Sequence, residues 1–109
     1  MTVIRQEDLI ESIADALQFI SYYHPLDFIR AMRGAWEKEE SPSAKAALTQ
    51  VLVNSRMCAI GKRPICQDTG IVNVFISVGM DVSWEADMSL EDMINEGVRR
   101  GYTLSLIHI

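Results

Sequence analysis

The sequence has few of the residues that mark several specialised classes of protein. Its 109 residues include 2 cysteines, and its 10 Lys and Arg are outnumbered by 15 Asp and Glu. Two cysteines are too few for a disulfide framework. Scattered basic residues and a net charge of -5 argue against binding to a nucleic-acid backbone. We therefore expect neither a disulfide-stabilised secreted domain nor a nucleic-acid partner.

Long apolar runs are also missing. No window reaches the ~18 to 20 apolar residues that a membrane span requires. Charged residues interrupt the first 15 positions, where a signal peptide would carry its apolar segment. We expect a cytoplasmic protein with no membrane partner. Hydrophobic residues at 49% and charged residues at 23% are typical of one packed globular domain.

Apolar residues at helical spacing predict three helices in the first half of the chain. The first runs from Gln6 to Tyr23, and the second begins at Pro25 as a first-turn residue and ends near Glu39. We expect the second to bury Leu26, Ile29, Met32 and Trp36. The third begins at Ser41 as N-cap, with Pro42 at its first position, and continues to about Ala59. Gly61 is expected to stop it in the left-handed conformation.

The second half predicts a strand and one more helix. Residues 71–78, IVNVFISV, alternate at the period of two that is typical of a strand, and Val82 and Trp84 continue it or form a hairpin. Ser89 with Asp92 three residues later has the spacing of a capping box for a last helix. The predicted fold class is α+β: N-terminal helices, a loop, a strand or hairpin, and a further helix.

The stretch RPICQDTG, Arg63 to Gly70, joins the third helix to the predicted strand and carries the candidate site. A thiolate at Cys66 near basic residues is able to ligate a metal or attack an electrophile. Gln67, Asp68 and Thr69 suit a small polar ligand, with an amide to bind a carboxylate and an acid to transfer a proton. Two plainer interpretations stay open: Cys66 as a buried, inert thiol, and Asp68 as the residue that closes an Asx turn.

The other candidate ligands are weaker. Cys58 lies in an apolar helical segment, which favours core packing, and C-x7-C matches no close-spaced zinc or iron–sulfur pattern. His24 precedes a proline and is interpreted as a helix-end residue. His108 belongs to the unusual tail TLSLIHI. The chain by itself therefore has too few ligands for a complete metal site.

RPICQDTG, preceded by NSRMCAIGK and followed by the Val/Ile segment, resembles the N-terminal catalytic region of class I fumarases. This iron–sulfur hydro-lyase family includes the α-type part of tartrate dehydratase. The resemblance extends from VIRQEDLIESIADALQFISYYHPLDFI to DMINEGVRRGY. Residues 1–102 would then be the N-terminal portion of the catalytic domain. The final LSLIHI resembles a translated DNA-library adapter, and we expect residues 103–109 to be a non-native tail. A terminal β-strand is the alternative.

The resemblance implies a 4Fe-4S cluster held by three cysteines, with one iron open to the substrate. Cys66 matches the first ligand, Gln67 a substrate-binding amide, and Asp68 the acid beside the substrate hydroxyl, with Thr69 in support. The remaining ligands and carboxylate-binding residues would lie in later sequence. We therefore expect the 109-residue chain alone to be inactive.

The function that the resemblance implies is reversible hydration of fumarate to malate, with a small dicarboxylate as substrate and a homodimer as the full-length assembly. A related hydro-lyase that acts on tartrate is the alternative within this class. A non-catalytic helical interaction domain, in which CQDTG is only a turn, is the alternative outside it.

Overall fold

The computed structural model describes residues 1–65 and 71–103, and in this part of the chain the α+β prediction is confirmed. The elements in chain order are β1 (Thr2–Arg5), α1 (Gln6–Tyr22), α2 (Leu26–Lys38), α3 (Pro42–Gly61), β2 (Val82–Glu85) and α4 (Leu90–Gly101). All four predicted helices are present. The described helices include none that is both long enough and apolar enough to cross a membrane.

Two serines begin helices as the sequence predicts. Ser41 Oγ accepts a hydrogen bond from the Ala44 N–H at 3.5 Å, with Pro42 at the first position of α3. Ser89 Oγ accepts from the Asp92 N–H at 3.1 Å at the start of α4. Each hydroxyl satisfies one of the backbone N–H groups that a helix leaves unpaired in its first turn.

Two helix-end predictions are wrong in detail. Pro25 is the N-cap of α2, with φ -60° and ψ 152°, and Leu26 is the first helical residue. Gly61 is helical, and the left-handed residue at the end of α3 is Lys62, with φ 51° and ψ 55°. The helix runs two residues beyond Ala59, so the reversal of the chain falls on the residue after the glycine. Lysine bears the steric cost of the left-handed region that glycine would avoid.

The buried face predicted for α2 is also wrong in part. Leu26 is 62% exposed, and Ile29, Met32 and Trp36 are half-buried. Trp36 contacts α3 through polar groups: its Nε1–H donates to Thr49 Oγ1 at 2.8 Å, and Lys45 Nζ lies 4.2 Å from the ring centroid. A cation over an indole face stabilises partly exposed contacts of this kind. The tryptophan therefore joins the two helices at their surface.

The sheet differs from the predicted hairpin. β1 and β2 pair in parallel with Thr2 opposite Val82 and Arg5 opposite Glu85, and β1 was not predicted. The prediction of β structure at Val82 and Trp84 is confirmed. Residues 71–78 form no strand, and Phe75 is 96% exposed. A strand requires a hydrogen-bonded neighbour, and among the described residues the sheet consists of β1 and β2 alone.

The structure divides into two compact units, Met1–Phe19 with Asp68–Ile109, and Ile20–Gln67. The first unit packs α1 against α4. Ile10 and Met93 are each 1% exposed, and Ala14 and Leu17 are also buried. Burial of such side chains supplies the main favourable term in the folding of this unit.

Two glycines of α4 allow this close packing. A Cβ at Gly97 would lie 2.7 Å from Ile13 Cβ and 3.0 Å from the Ile10 carbonyl oxygen. A Cβ at Gly101 would lie 3.1 Å from Leu17 Cδ1. A Cβ therefore does not fit at Gly97 unless its neighbours shift, and a Cβ at Gly101 would require Leu17 to move by a few tenths of an ångström.

A network of ion pairs joins the exposed margins of the same two helices. Arg100 Nη1 lies 2.8 Å from Glu7 Oε2, and Arg100 Nε lies 3.0 Å from Glu96 Oε1. Hydrogen bonds from Arg99 and Arg100 lower the pKa of Glu96 to about 2. The hydrogen bond from Arg100 also lowers the pKa of Glu7. Both carboxylates are therefore charged at neutral pH. Glu7 joins α1 to α4 through Arg100, whereas Glu96 pairs with Arg99 and Arg100 within α4.

Replacing Gly97 by alanine should destabilise the protein. The new methyl group would overlap Ile13, and overpacking of this kind costs about 1 to 3 kcal/mol. That exceeds the ~1 kcal/mol of helix propensity that alanine gains over glycine. Urea unfolding should show a lower free energy of unfolding.

Gly34→Ala is the matched control, because Gly34 lies inside α2 with nothing within 4 Å of its added Cβ. This variant should equal or exceed the original protein in stability. A Gly97→Ala protein as stable as the Gly34→Ala protein would contradict the close packing of α1 and α4.

Candidate functional site

The predicted site residues Cys66, Gln67, Asp68 and Thr69 lie outside the residues that the structure describes. They belong to the CQDTG segment, residues 66–70. The structure describes the three residues immediately before this segment, Arg63–Ile65, which we call the lead-in segment. The contacts of the lead-in segment define the backbone position from which the candidate site begins.

Ile65, the last residue of the lead-in segment, has both backbone polar groups bonded. Its N–H donates to the Ser21 carbonyl oxygen at 2.8 Å, at the end of α1. Its carbonyl oxygen accepts from Asn54 Nδ2 at 2.9 Å, on α3. The two bonds come from different helices and hold the peptide units on the two sides of the Ile65 Cα. The residue before Cys66 is therefore anchored on both sides.

Cys58 supports the same segment from inside the unit. It is 6% exposed, and its Sγ lies 3.3 Å from the Pro64 carbonyl oxygen and 3.6 Å from Asn54 Oδ1. The single thiol proton can be donated to one of these acceptors at a time. The packing role predicted for Cys58 is confirmed, and its thiol is directed at the lead-in segment.

The end of α3 turns the chain back along the helix. Lys62 adopts the left-handed conformation, and the Arg63 N–H donates to the Cys58 carbonyl oxygen at 3.1 Å. The Lys62 N–H donates to the same oxygen, so the last turn of the helix is closed by two N–H groups that follow it. The reversal allows Ile65 to meet Asn54, which lies 11 residues earlier.

Two residues of this turn are cationic. Lys62 and Arg63 are both exposed and form no ion pair with another described residue. Unpaired cations on one short turn raise the local positive potential and favour the approach of anions. A solvated basic turn is the simpler interpretation of the same pair.

His24 has contacts that its sequence context did not indicate. As predicted it lies at a helix end, between α1 and α2. Its Nδ1 is 2.9 Å from Oγ of the buried Ser55, and its ring stacks on Phe28 with centroids 4.3 Å apart. His24 and Ser55 border a cavity of about 240 Å³ lined also by Tyr23, Ile29, Leu52, Arg56 and Ala59. The hydrogen bond satisfies the buried hydroxyl and links this turn to α3.

The described residues do not form a cluster site by themselves. They contain no group of three or more His, Cys, Asp or Glu side chains close enough to hold a metal ion. Cys58, the cysteine within the described ranges, is buried and free of a disulfide. A 4Fe-4S group would therefore have to use Cys66 and ligands outside the described residues.

Asn54 and Ser21 are the site-supporting residues that the sequence did not identify. Asparagine within a helix is unusual, because its side chain competes with the backbone for hydrogen bonds. The presence of an asparagine inside a predicted helix was therefore the sequence feature that could have indicated a special role for Asn54. Ser21 contributes its backbone carbonyl oxygen, which no residue type can indicate.

A family of known proteins matches nearly the whole chain. The model of the family described as Fumarate hydratase (Fumerase) matches residues 10–107. This range includes the CQDTG segment and extends into the 103–109 tail, whose non-native origin stays a prediction. No solved structure matches the chain.

The chain is also similar to a curated protein whose name describes a dehydratase. A protein of Methanocaldococcus jannaschii named "Putative L(+)-tartrate dehydratase subunit alpha" is 28% identical over 88 residues, which are 81% of this chain. The chain spans 31% of that relative's length.

Proposed function

Because the chain belongs to the fumarate hydratase (Fumerase) family, we propose that its protein is a hydro-lyase that reversibly hydrates fumarate to malate. The observation that carries this proposal is the family match over residues 10–107, which contains the whole CQDTG segment. The anchored lead-in segment supports it, since reacting groups are commonly held on segments braced by rigid elements.

We further propose that Cys66 is one ligand of a 4Fe-4S cluster. A thiolate is the usual protein ligand of such clusters, and Cys58, with its thiol buried against Pro64, is unsuited to the role. When bound, the cluster supplies a Lewis acid for a reaction in which hydroxide must leave. The other ligands are proposed to lie outside this chain.

Gln67, Asp68 and Thr69 are proposed to act on the substrate directly. The Gln67 amide N–H would donate to a carboxylate of fumarate or malate, and the Thr69 hydroxyl would support that contact. In the malate-to-fumarate direction, Asp68 would donate a proton to the departing hydroxyl, which leaves as water, while a base proposed to lie outside this chain would take the proton from the neighbouring carbon. In the opposite direction it would accept a proton from the attacking water. The positive turn at Lys62 and Arg63 favours a dianionic substrate.

Tartrate is the second candidate substrate, and the name of the relative in Methanocaldococcus jannaschii favours it. Malate and tartrate differ by one hydroxyl group, so both fit an active site that binds two carboxylates. The two candidates imply different assemblies. For a fumarate hydratase we propose a homodimer, whereas an alpha subunit of a tartrate dehydratase would require a second kind of subunit.

The proposed function is tested by a substrate comparison on the full-length protein, purified without air. We expect kcat/KM for malate to exceed that for L(+)-tartrate by about 100-fold, the discrimination typical of one added hydroxyl group. Loss or gain of fumarate absorbance measures the first reaction, and formation of the keto acid measures the second. The reverse preference would select the tartrate enzyme. Activity on neither substrate would favour the non-catalytic interaction domain.

A further inference from the structure

Asn54 occupies an interior position of α3 where a better helix former would be expected. It is exposed, so burial does not account for an asparagine there. Both ends of its amide are in use: Nδ2 donates to the Ile65 carbonyl oxygen at 2.9 Å, and Oδ1 lies 3.6 Å from Cys58 Sγ. The side chain is therefore committed to the lead-in segment and to the thiol that supports it.

We propose that Asn54 is a positioning residue for the CQDTG segment. The Ser21 carbonyl oxygen holds the Ile65 N–H, and Asn54 holds the Ile65 carbonyl oxygen, so both backbone polar groups of this residue are clamped, each from a different helix. Because a peptide group is planar, a carbonyl held in place also restricts the direction in which the chain leaves it. The inference rests on the proposed function, since it assigns this clamp the task of placing Cys66, Gln67 and Asp68 for reaction.

Asn54→Asp is the informative variant. Aspartate has the same shape and keeps an oxygen to face Cys58, but it lacks the N–H that bonds to Ile65. The Ile65 N–H keeps its bond to the Ser21 carbonyl oxygen, but a local opening that frees this residue no longer has to break the Asn54 bond as well. We therefore expect the Ile65 amide to exchange its hydrogen about five- to tenfold faster. We expect kcat to fall by about 10- to 100-fold, because small displacements of reacting groups are costly. KM for malate should change less than kcat.

Gln50→Asp is the matched control. Gln50 lies one turn earlier on α3, is exposed, and its side chain makes no hydrogen bond within the described part of the chain. Like Asn54→Asp, the Gln50→Asp substitution replaces a neutral amide by a negative carboxylate on α3. Its Ile65 exchange rate, its kcat and its thermal midpoint should equal those of the original protein. Asn54→Asp should also keep that thermal midpoint, because the bond it loses to Ile65 is exposed and aspartate keeps an oxygen facing Cys58.

The outcomes separate the inference from the function on which it rests. Unchanged Ile65 exchange in Asn54→Asp would overturn the clamp, whatever the activity. Faster exchange with unchanged kcat would show that the clamp does not position reacting groups. An original protein that is inactive on both malate and tartrate would overturn the proposed function, while the exchange comparison would still decide whether Asn54 holds Ile65.

Discussion

Replacing Cys66 by alanine in the full-length protein is expected to remove iron and hydratase activity together. Cys66 is the proposed cluster ligand in this chain, and alanine offers no donor atom. Changes in residues around metal ligands typically cost about 10- to 100-fold in affinity or activity, so loss of a ligand should exceed that. Iron and sulfide content, with the visible absorption of protein prepared without air, measures the first effect. Malate dehydration measures the second.

Cys58→Ala is the control for a general effect of losing a thiol. The Cys58 side chain is buried and lies 3.3 Å from the Pro64 carbonyl oxygen. Its loss should lower the free energy of unfolding by about 1 to 2 kcal/mol, through lost packing and one lost hydrogen bond. The folded Cys58→Ala protein should keep its iron. Normal iron and turnover in Cys66→Ala would favour the interpretation of Cys66 as a packed thiol.

The helices were predictable because their signals are local. The caps at Ser41 and Ser89 depend on residues within three positions, and α1 ends one residue before the predicted Tyr23. Burial was less predictable, because it depends on what lies opposite. Leu26 continues the apolar face of α2 yet is 62% exposed. Periodicity identifies a helical face without identifying its neighbour.

The β structure shows even more clearly that a local pattern does not identify the neighbour of a segment. Residues 71–78 have a clear alternating pattern and form no strand, whereas β1 and β2 have four residues each and pair across most of the chain. A strand forms only where it has a hydrogen-bonded partner, and that partner can be distant in the sequence. The alternating pattern of a segment does not identify its partner. The parallel pairing of Thr2–Arg5 with Val82–Glu85 therefore had no local signal.

The candidate site was predictable in its chemistry and not in its support. Residue types and family resemblance single out Cys66, Gln67 and Asp68, which lie outside the described residues, so their roles stay predictions. The bonds that hold Ile65 come from Ser21 and Asn54. These contacts depend on how α1 and α3 pack, which composition and spacing do not specify.

Asp68→Asn should lower turnover while leaving iron content unchanged. Asparagine has the shape of aspartate but cannot transfer a proton, and a positioned acid contributes about 10²- to 10⁴-fold to rate. We therefore expect kcat for malate dehydration to fall within that range. Asp15→Asn is the matched control, because Asp15 is an exposed carboxylate on α1, and it should have normal kcat.

The same substitution separates the two interpretations of Asp68. An asparagine side chain closes an Asx turn as well as an aspartate does. If Asp68 serves only the turn before Gly70, Asp68→Asn should therefore fold, bind iron and turn over malate normally. If Asp68 is the acid, iron content and thermal midpoint should match those of the original protein while kcat alone falls. Simultaneous loss of iron and activity would contradict both interpretations and would place Asp68 among the groups that hold the cluster.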